Sequence, residues 1–283
     1  MTTPPFAFFG TPQFAVSVLE EMQEKGFLPS VIVTAPEKPR GRNLRLSPTP
    51  VHEWSTRNAI PVLTPEKLDE ETYTALEQYH CQFFVVAAYG KIIPQKFLDL
   101  APLGALNVHP SLLPKGRGPS PIESVILSED TATGVSIILL DSEVDHGPIL
   151  AMRERVCAPW PPKASVLRND LAHFGGSLLA EVLPEWLAGL TPTPQDHTRA
   201  TFTKKIQKKD AFLDFSDSPI MNLKKIRAYD EWPGAFYFEE INGKRLRIRV
   251  TDAHIENGAL VLDTIIPEGK KEMRAEDFFR NRT

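Results

Sequence analysis

Short apolar runs alternate with amphipathic segments through the first two-thirds of the chain. The run Phe6–Phe9 is wholly apolar and is followed by a glycine, a threonine and a proline, after which apolar residues recur at every fourth position from Phe14 to Met22. This pattern predicts a buried strand, a tight turn and an amphipathic helix that ends at Gly26. Later segments repeat the two patterns. The predicted strands are Val31–Val33, Pro61–Leu63, Gln82–Ala87 and Gly104–Val108, and the predicted helices are Val51–Asn58, Glu66–Tyr79 and Pro121–Leu127.

Strands that are apolar throughout and alternate with helices are typical of a parallel sheet covered on both faces. We therefore predict an α/β domain built on a mostly parallel sheet. Val135–Leu140 and Ile149–Arg155 have no helix between them, so these two strands are expected to pair antiparallel. A long helix follows, with apolar residues at three- and four-residue steps from Leu167 to Trp186.

A polar segment punctuated by prolines, from Thr191 to Thr198, marks the strongest domain boundary in the chain. Beyond it three short strands are predicted, with Asn-Gly pairs between them that are typical of hairpin turns. We predict a first domain at 1–190, a linker at 191–205 and a small β domain at 206–283. The predicted strands of the small domain are Tyr237–Glu240, Leu246–Val250 and Leu260–Thr264.

The composition is that of an ordinary globular protein: 42% of the 283 residues are hydrophobic and 24% are charged, which excludes wholesale disorder, collagen and coiled coil. The longest apolar runs, Phe83–Ala88 and Val135–Leu140, are far shorter than the roughly 18–20 residues that cross a bilayer. No basic segment or cleavage site marks a signal peptide, and two cysteines make no disulfide framework. We therefore expect a cytoplasmic protein that acts as a monomer, away from membranes.

The net charge of −4 is unevenly distributed along the chain. Residues 1–197 carry a net charge of −7 and residues 198–283 a net charge of +3, so the C-terminal part favours an anionic partner. The segment 35–50, which contains four prolines and is predicted as a loop, is also basic. Ordinary solvated surfaces reach the same charge, so charge alone leaves the partner open.

One segment combines polar side chains with a strand end. Asn107 and His109 lie two residues apart at the end of a predicted strand, so their side chains share a face. Ligand sites in parallel sheets lie beyond the carboxyl ends of the strands. An amide and an imidazole together suit an oxyanion that develops on a carbonyl group. The alternative is an asparagine that caps a turn beside a surface histidine.

A second polar segment, 141–148, follows the apolar run that ends at Leu140. Within it Asp145 precedes a Gly-Pro turn, from which its carboxylate could reach back to His109 and fix the imidazole tautomer. Three acids within five residues could equally form a solvated turn. The chain has no Walker-type Gly-Lys-Ser/Thr, no Gly-x-Ser-x-Gly elbow and no metal-ligand spacing. These residues favour direct carbonyl transfer, without a metal or a covalent enzyme intermediate.

These segments resemble the folate-dependent formyltransferase family. The likeness is carried by residues 8–15, by Asn107-Val108-His109-Pro110-Ser111-Leu112-Leu113-Pro114 and by Asp145, and it runs through most of residues 6–283. The second string is specific to the family, while the opening string and loop 35–50 single out the branch that acts on tRNA. The resemblance implies a Rossmann-like, mostly parallel sheet domain followed by a small, reduced, OB-like β-barrel.

The resemblance also implies the substrates and the site. The formyl donor would be 10-formyltetrahydrofolate, and the acceptor would be the methionine amine of charged initiator tRNA. Asn107 and His109 would stabilise the oxyanion, and Asp145 would orient His109 and help to accept the proton of the amine. The implied folate-binding residues are Ser111, Leu112, Leu113 and Pro114 with Ala88, Tyr89 and Gly90. The implied tRNA-binding residues are Lys38, Arg40, Arg42, Arg45, Lys204 and Lys205.

Three departures from the family pattern keep other functions open. Glu143 stands where the family usually has glycine, and His146 where it has threonine. Only 13 residues separate Val250 from Thr264, so part of the usual barrel is missing.

Other functions fit the same sequence. A formyltransferase that acts on a small amine, such as a nucleotide-linked amino sugar, would use the same set of Asn107, His109 and Asp145. A folate- or tRNA-binding protein without turnover and a formyl-folate hydrolase also fit the sequence.

Overall fold

A computed structural model describes residues 3–40, 45–241 and 243–280. The chain divides into two compact units. Unit 1 comprises Met1–Arg117, Thr133–Arg155 and Asn169–Thr201. Unit 2 comprises Gly118–Ala132, Val156–Arg168 and Phe202–Thr283.

The described residues form strands and helices in an alternating order through most of unit 1. The strands are β1 (Phe6–Gly10), β2 (Val31–Val33), β3 (Lys38–Arg40), β4 (Arg45–Ser47), β5 (Val62–Leu63), β6 (Phe83–Ala87), β7 (Ala105–His109), β8 (Thr133–Leu139), β9 (Ile149–Arg155), β10 (Phe236–Ile241), β11 (Lys244–Glu256), β12 (Ala259–Pro267) and β13 (Met273–Arg274). The helices are α1 (Gln13–Glu24), α2 (Pro50–Arg57), α3 (Glu70–Glu77), α4 (Gln95–Leu98), α5 (Pro121–Leu127), α6 (Ala164–Leu187), α7 (Pro219–Ala228) and α8 (Ala275–Arg280).

Unit 1 is built on a seven-stranded sheet in the order β5-β2-β1-β6-β7-β8-β9. The first five strands in this order are parallel, and β8 and β9 are antiparallel to their neighbours. The central strands β1 and β6 are buried along their whole length, because helices cover both faces of a parallel sheet. The rings of Phe6 and Phe83 stack between them at 4.8 Å. The predicted α/β fold with a mostly parallel, Rossmann-like sheet is confirmed.

The two edges of this sheet differ. At one edge β5 has only two residues. At the other, β9 carries charged side chains that are paired with α6: Arg153 lies 2.8 Å from Glu181, and Arg155 forms two hydrogen bonds with Asp170. The first residue of β9, Ile149, forms a bridge with Thr193.

Unit 2 contains a small antiparallel sheet in the order β10-β11-β12-β13. Its core includes Leu223 and Ile226 from α7 and Tyr237 and Ile248 from the sheet. The turn between β11 and β12 is Asn257-Gly258, and both residues have positive φ, as a two-residue hairpin turn requires. The predicted hairpin is therefore confirmed here. The other predicted turn includes Asn242, which lies outside the described residues.

The structure departs from the sequence-based elements at several places. Segment 35–50, predicted as a loop, contains a hairpin in which Lys38 pairs with Ser47. The helix predicted from Glu66 begins at Glu70, because the Asp69 carboxylate accepts the backbone N–H of Thr72 and caps the helix there.

The two compact units do not coincide with the predicted domains. Unit 2 includes residues 118–132 and 156–168, which precede the predicted linker. The domain boundaries 1–190, 191–205 and 206–283 stay predictions. Among the described residues, no helix is long and apolar enough to cross a membrane.

The two cysteines lie in different surroundings, which gives a test of the core. Cys81 is 4% exposed, and burial raises the pKa of its thiol to about 11. Cys157 is half-buried. Because the thiolate is the reactive form, we expect Cys157 to react first with a thiol reagent at pH 8, and Cys81 at least about 100-fold more slowly until the protein unfolds. Stopped-flow titration of the native protein measures this, with Cys157→Ser as the control. Equal rates for both thiols would contradict the burial of Cys81.

Candidate active site

The polar residues of β7 lie near the carboxyl ends of the parallel strands. The register places Gly10 beside Ala87 and Val86 beside Asn107, so β1, β6 and β7 end at the same edge of the sheet. Asn107 and His109 are two residues apart on β7, and their side chains share a face of the sheet. This is the edge at which open parallel sheets bind ligands.

His109 is held in one orientation by a backbone carbonyl. Its side chain is only 5% exposed, and Nε2 lies 3.0 Å from the carbonyl oxygen of Gly116. A carbonyl oxygen can only accept, so Nε2 carries a proton and donates it. Nδ1, the atom that is left to gain or lose a proton, lies 3.5 Å from Oδ1 of Asp145.

Asp145 reaches these residues because its loop folds back over the sheet. The loop connects β8 to β9, and Asp145 within it has φ of +50°, in the left-handed region that few side chains other than Asn and Asp adopt. The side chain is 12% exposed, and the Nδ2 amide of Asn107 donates to its Oδ1 atom at 3.4 Å. The structure thus brings Asn107, His109 and Asp145 together around one carboxylate oxygen.

The loop that carries Asp145 ends at Gly147, where a side chain would not fit unless the backbone shifted. A Cβ atom on Gly147 would lie 1.8 Å from the carbonyl oxygen of Leu139. The backbone N–H of Leu139 in turn donates to the carbonyl of Pro148 at 3.0 Å. The Gly-Pro turn therefore fixes the path by which the chain returns from β8 to β9.

The two unusual residues of the loop lie beside the site. Nδ1 of His146 is 2.6 Å from Oδ2 of Asp141, and its ring stacks on that of His197 at 4.0 Å. Glu143 is exposed, and its backbone N–H donates to Asp141. His146 is thus tied to Asp141 within its own loop and stacked on a histidine from the end of unit 1.

The loop that follows β7 is held by its own hydrogen bonds. The hydroxyl of Ser111 donates to the carbonyl of Lys115 at 2.7 Å, and Ser136 of β8 bonds both Leu113 and Ser111 through their backbones. Leu113 is buried, and the peptide bond to Pro114 is cis. The string 111–114 therefore forms a fixed wall next to His109. The assignment of Ser111, Leu112, Leu113 and Pro114 to folate stays a prediction.

The turn after β6 has two exposed residues on either side of a buried one. Ala88 and Gly90 are exposed and have positive φ, whereas Tyr89 is buried and its ring lies edge-on to Phe9 at 5.3 Å. Burial raises the pKa of the Tyr89 hydroxyl to about 12, so the phenol is neutral at physiological pH. The Tyr89 side chain thus belongs to the core, and Ala88 and Gly90 are the residues of this turn that a ligand can reach.

The basic residues predicted for tRNA lie in two places. Lys38 is exposed on β3, and Arg40 is paired in register with Arg45 across the hairpin. Arg42 lies outside the described residues. Lys204 and Lys205, in unit 2, are both exposed. The structure thus keeps Lys38, Arg40 and Arg45 on one hairpin, and their role in binding stays a prediction.

One basic surface of unit 2 is absent from the sequence-based set. Arg245 lies over the ring of Phe238 at 4.0 Å, and Arg247 lies over the ring of Phe236 at 4.1 Å. Both pairs arise because β10 and β11 present every second residue on one face. The alternation of arginine along 245–249 and of phenylalanine along 236–238 is the signal that would have indicated it. Arginine and aromatic side chains together are typical of surfaces that bind unstacked bases and phosphates.

Two polar residues missed by the sequence analysis contact the loop of Asp145 or support that contact. Gln195 donates from Nε2 to the carbonyls of Asp145 and Gly147, at 2.9 and 2.7 Å. Arg117 donates to Oε1 of Gln195 from Nε at 3.2 Å and from Nη2 at 2.7 Å. Neither residue lies in a recognisable motif. Their contacts join segments that are 48 to 78 positions apart, so no local pattern in the sequence indicates them. Among the described residues no three His, Cys, Asp or Glu side chains are grouped as a metal site would need.

Comparisons with known proteins define the class. The sequence matches the family described as "Formyl transferase" over residues 5–183 and "Formyl transferase, C-terminal domain" over residues 205–259. The chain therefore belongs to the formyl transferase family.

Its sequence relatives narrow this class. It is 43% identical over 264 residues to the methionyl-tRNA formyltransferase of Chloroflexus aurantiacus, an alignment that covers 92% of this chain and 83% of the relative. It is 39% identical to the enzyme of the same name from Myxococcus xanthus, over 99% and 96% of the two chains. A solved N-formyltransferase from Helicobacter canadensis, in complex with folinic acid and dTDP-3-aminofucose, superposes with a TM-score of 0.63 at 16% identity, over 96% and 99% of the chains. The last likeness shows the fold alone.

Proposed function

We propose that this protein transfers the formyl group of 10-formyltetrahydrofolate to the α-amino group of methionyl initiator tRNA, for translation initiation. The proposal rests above all on one observation: a chain that is similar over nearly its whole length to methionyl-tRNA formyltransferases brings an amide, an imidazole and a carboxylate together at the ligand-binding edge of its sheet. It works as a cytoplasmic monomer and needs no metal, as the sequence predicts.

The chemistry requires the free amine to attack the formyl carbon. A bond forms between that carbon and the amine nitrogen, and the formyl oxygen becomes an oxyanion. Asn107 has two N–H groups on Nδ2, and only one can face Asp145, so the other can donate to the oxyanion. The side chains of His109 and Asp145 are only 5% and 12% exposed, and hydrogen bonds to a developing charge are stronger next to groups that are shielded from water.

The proton of the amine needs an acceptor before the intermediate collapses. Nδ1 of His109 and the carboxylate of Asp145 face each other, and together they can accept that proton. Collapse of the intermediate then breaks the bond between the formyl carbon and N10 of the folate, and N10 takes up a proton. The net reaction moves one formyl group to the amine and returns one proton to the folate.

The folate would bind along the edge of the sheet formed by the two loops described above. Backbone groups at Ala88 and Gly90 are exposed for hydrogen bonds to a pterin ring, while the wall at 111–114 is fixed by Ser136. A rigid wall lowers the entropy that ordering it on binding would cost.

The tRNA would be held by basic residues of both units. Unit 1 would contribute Lys38, Arg40, Arg42 and Arg45 from segment 35–50. Unit 2 would contribute Lys204 and Lys205 and, separately, the Arg245–Phe238 and Arg247–Phe236 pairs. Lysine and arginine contacts to phosphates supply most of the sequence-independent affinity for nucleic acid.

A transfer assay tests the proposed function. Purified protein is incubated with 10-formyltetrahydrofolate and methionyl initiator tRNA, beside uncharged tRNA and a panel of nucleotide-linked amino sugars. Formylation of the charged tRNA alone is the expected result. Turnover on an amino sugar without transfer to tRNA would assign the chain to the sugar-modifying branch, and release of formate without any amine would assign it to the hydrolases.

The hairpin assignment predicts a selective loss when Arg42 is replaced by alanine. We expect KM for methionyl-tRNA to rise roughly tenfold and the slope of log K against log salt to decrease by about 1, because one phosphate contact is removed. KM for the folate should not change. Steady-state kinetics at several salt concentrations measure both, with Arg57→Ala, an exposed arginine at the end of α2, as the control. Equal tRNA kinetics in the two variants would remove Arg42 from the tRNA surface.

A further inference from the structure

The loop that carries Asp145 is held from outside by one glutamine. Both N–H groups of the Gln195 amide are used on this loop, one on the carbonyl of Asp145 at 2.9 Å and one on the carbonyl of Gly147 at 2.7 Å. These two carbonyls flank His146, so the amide spans the turn in which Asp145 has its positive φ. A backbone conformation of this kind persists only where surrounding contacts determine it.

The orientation of that amide is itself fixed by chemistry. Arg117 has only donors, and its Nε and Nη2 atoms both face Oε1 of Gln195. The loop carbonyls only accept, so the amide oxygen must face the guanidinium and the nitrogen must face the loop. Gln195 is 6% exposed and Arg117 is 3% exposed, so water does not replace these bonds at low cost.

The arginine is positioned in turn by a neighbouring ring. Its Nη2 atom donates to Nδ1 of His197 at 2.7 Å, which requires that nitrogen to be unprotonated. The backbone of the same segment is joined to β9 by the bridge between Thr193 and Ile149, and Ile149 is the first residue of β9 after the loop of Asp145. The segment 193–197 therefore approaches the loop along a defined path.

We propose that Gln195, oriented by Arg117, is a positioning residue that acts through the backbone of Asp145. It holds the left-handed turn from which the Asp145 carboxylate meets His109 and Asn107. This inference rests on the proposed function, because it assumes that the carboxylate is part of the catalytic set. Gln195 would touch none of the reacting atoms. Its effect is on kcat, because it places the Asp145 carboxylate, whose Oδ1 atom lies 3.5 Å from Nδ1 of His109.

The decisive variant is Gln195→Glu. Glutamate has the same shape and keeps an acceptor for Arg117, but at neutral pH it has no N–H for the two carbonyls and repels them. We expect kcat to fall by roughly 10- to 100-fold with both KM values within about twofold, since the binding loops are untouched. Gln82→Glu is the matched control, because the Gln82 amide also donates to a backbone carbonyl, that of His80, in a surface turn. Circular dichroism and Tm are measured for both.

A double-variant cycle with Asp145→Asn separates this role from a merely structural one. If Gln195 acts through Asp145, then Gln195→Glu should reduce kcat by less than about threefold in the Asp145→Asn background. The proposal would be overturned if the losses of kcat in the two single variants were fully additive in the double variant. It would also be overturned if Gln195→Glu had wild-type kcat, with or without a rise in KM. Wild-type turnover in Asp145→Asn alone would instead show that the proposed catalytic set is wrong, and the positioning role would fail with it.

Discussion

Replacement of His109 by alanine is expected to lower kcat by roughly 100- to 1000-fold, which corresponds to about 3–4 kcal/mol of lost transition-state stabilisation. The imidazole has no equivalent among its neighbours: Nε2 is bonded to Gly116, and Nδ1 is the atom next to Asp145. Without the ring, the amine loses the group that accepts its proton, because Nδ1 is the ring atom that faces Asp145 and has no proton of its own. KM for the folate should stay within about twofold, because the proposed folate walls do not include the ring.

Single-turnover kinetics with saturating folate measure the loss in His109→Ala directly. His254→Ala is the matched control, since His254 is an exposed histidine in unit 2 whose hydrogen bond to Asp263 raises its pKa. A kcat within threefold of the wild type would remove His109 from the chemistry, whereas loss of folded protein would be seen first in the circular dichroism spectrum.

The second large effect is expected from Gly147→Ala. The added methyl group would lie 1.8 Å from the carbonyl oxygen of Leu139, and no side-chain movement relieves this contact because that oxygen belongs to the backbone at the end of β8. The loop must shift, and Asp145, two residues away, moves with it. We expect a loss of about 1–3 kcal/mol in the free energy of unfolding and a fall in kcat of at least about tenfold, measured well below Tm.

Gly26→Ala is the control that separates a steric clash of the added methyl group from strain in a positive-φ backbone. Gly26 has φ of +83°, and a Cβ atom added there would meet nothing within 4 Å, so alanine should cost only the backbone strain of about 1 kcal/mol. Chemical denaturation of both variants gives the two free energies. If Gly147→Ala proved no less stable than Gly26→Ala and retained kcat, the path of the loop from β8 to β9 would not depend on a glycine at position 147.

The parallel sheet could be predicted because its strands are apolar along their whole length. Phe83–Ala87 has no polar residue and is buried on both sides, and a run of this kind excludes an exposed hairpin strand. Asn107 and His109 could be placed on one face of the sheet because side chains two residues apart on a strand point the same way. The approach of Asp145 to His109 could be proposed because its position before a Gly-Pro turn lets the carboxylate reach back and because the family resemblance implies it, although the fold of its loop could not be derived.

Other parts of the structure have weak local signals. The hairpin of β3 and β4 was missed because Pro39 lacks an N–H and because its three-residue strands give too few positions for an alternating pattern. Helix α7 begins with Ser218 and Pro219, which are good signals for a helix start, but its sequence lacks a strong apolar face. Gln195 lies in a polar segment that was predicted as a linker, so its side chain was expected to be solvated. Only the tertiary fold places it against the backbone of Asp145.

The edges of the large sheet have a consequence for the protein in concentrated solution. An unpaired strand can accept a strand from another molecule, and long, flat, apolar edges are the usual starting points of aggregation. Here one edge strand has two residues, and the other carries Arg153 and Arg155, each held by a carboxylate of α6. Charged side chains on an edge strand disfavour its pairing with a strand from a second chain. The sheet that supports the site is thus protected against growing beyond its own molecule.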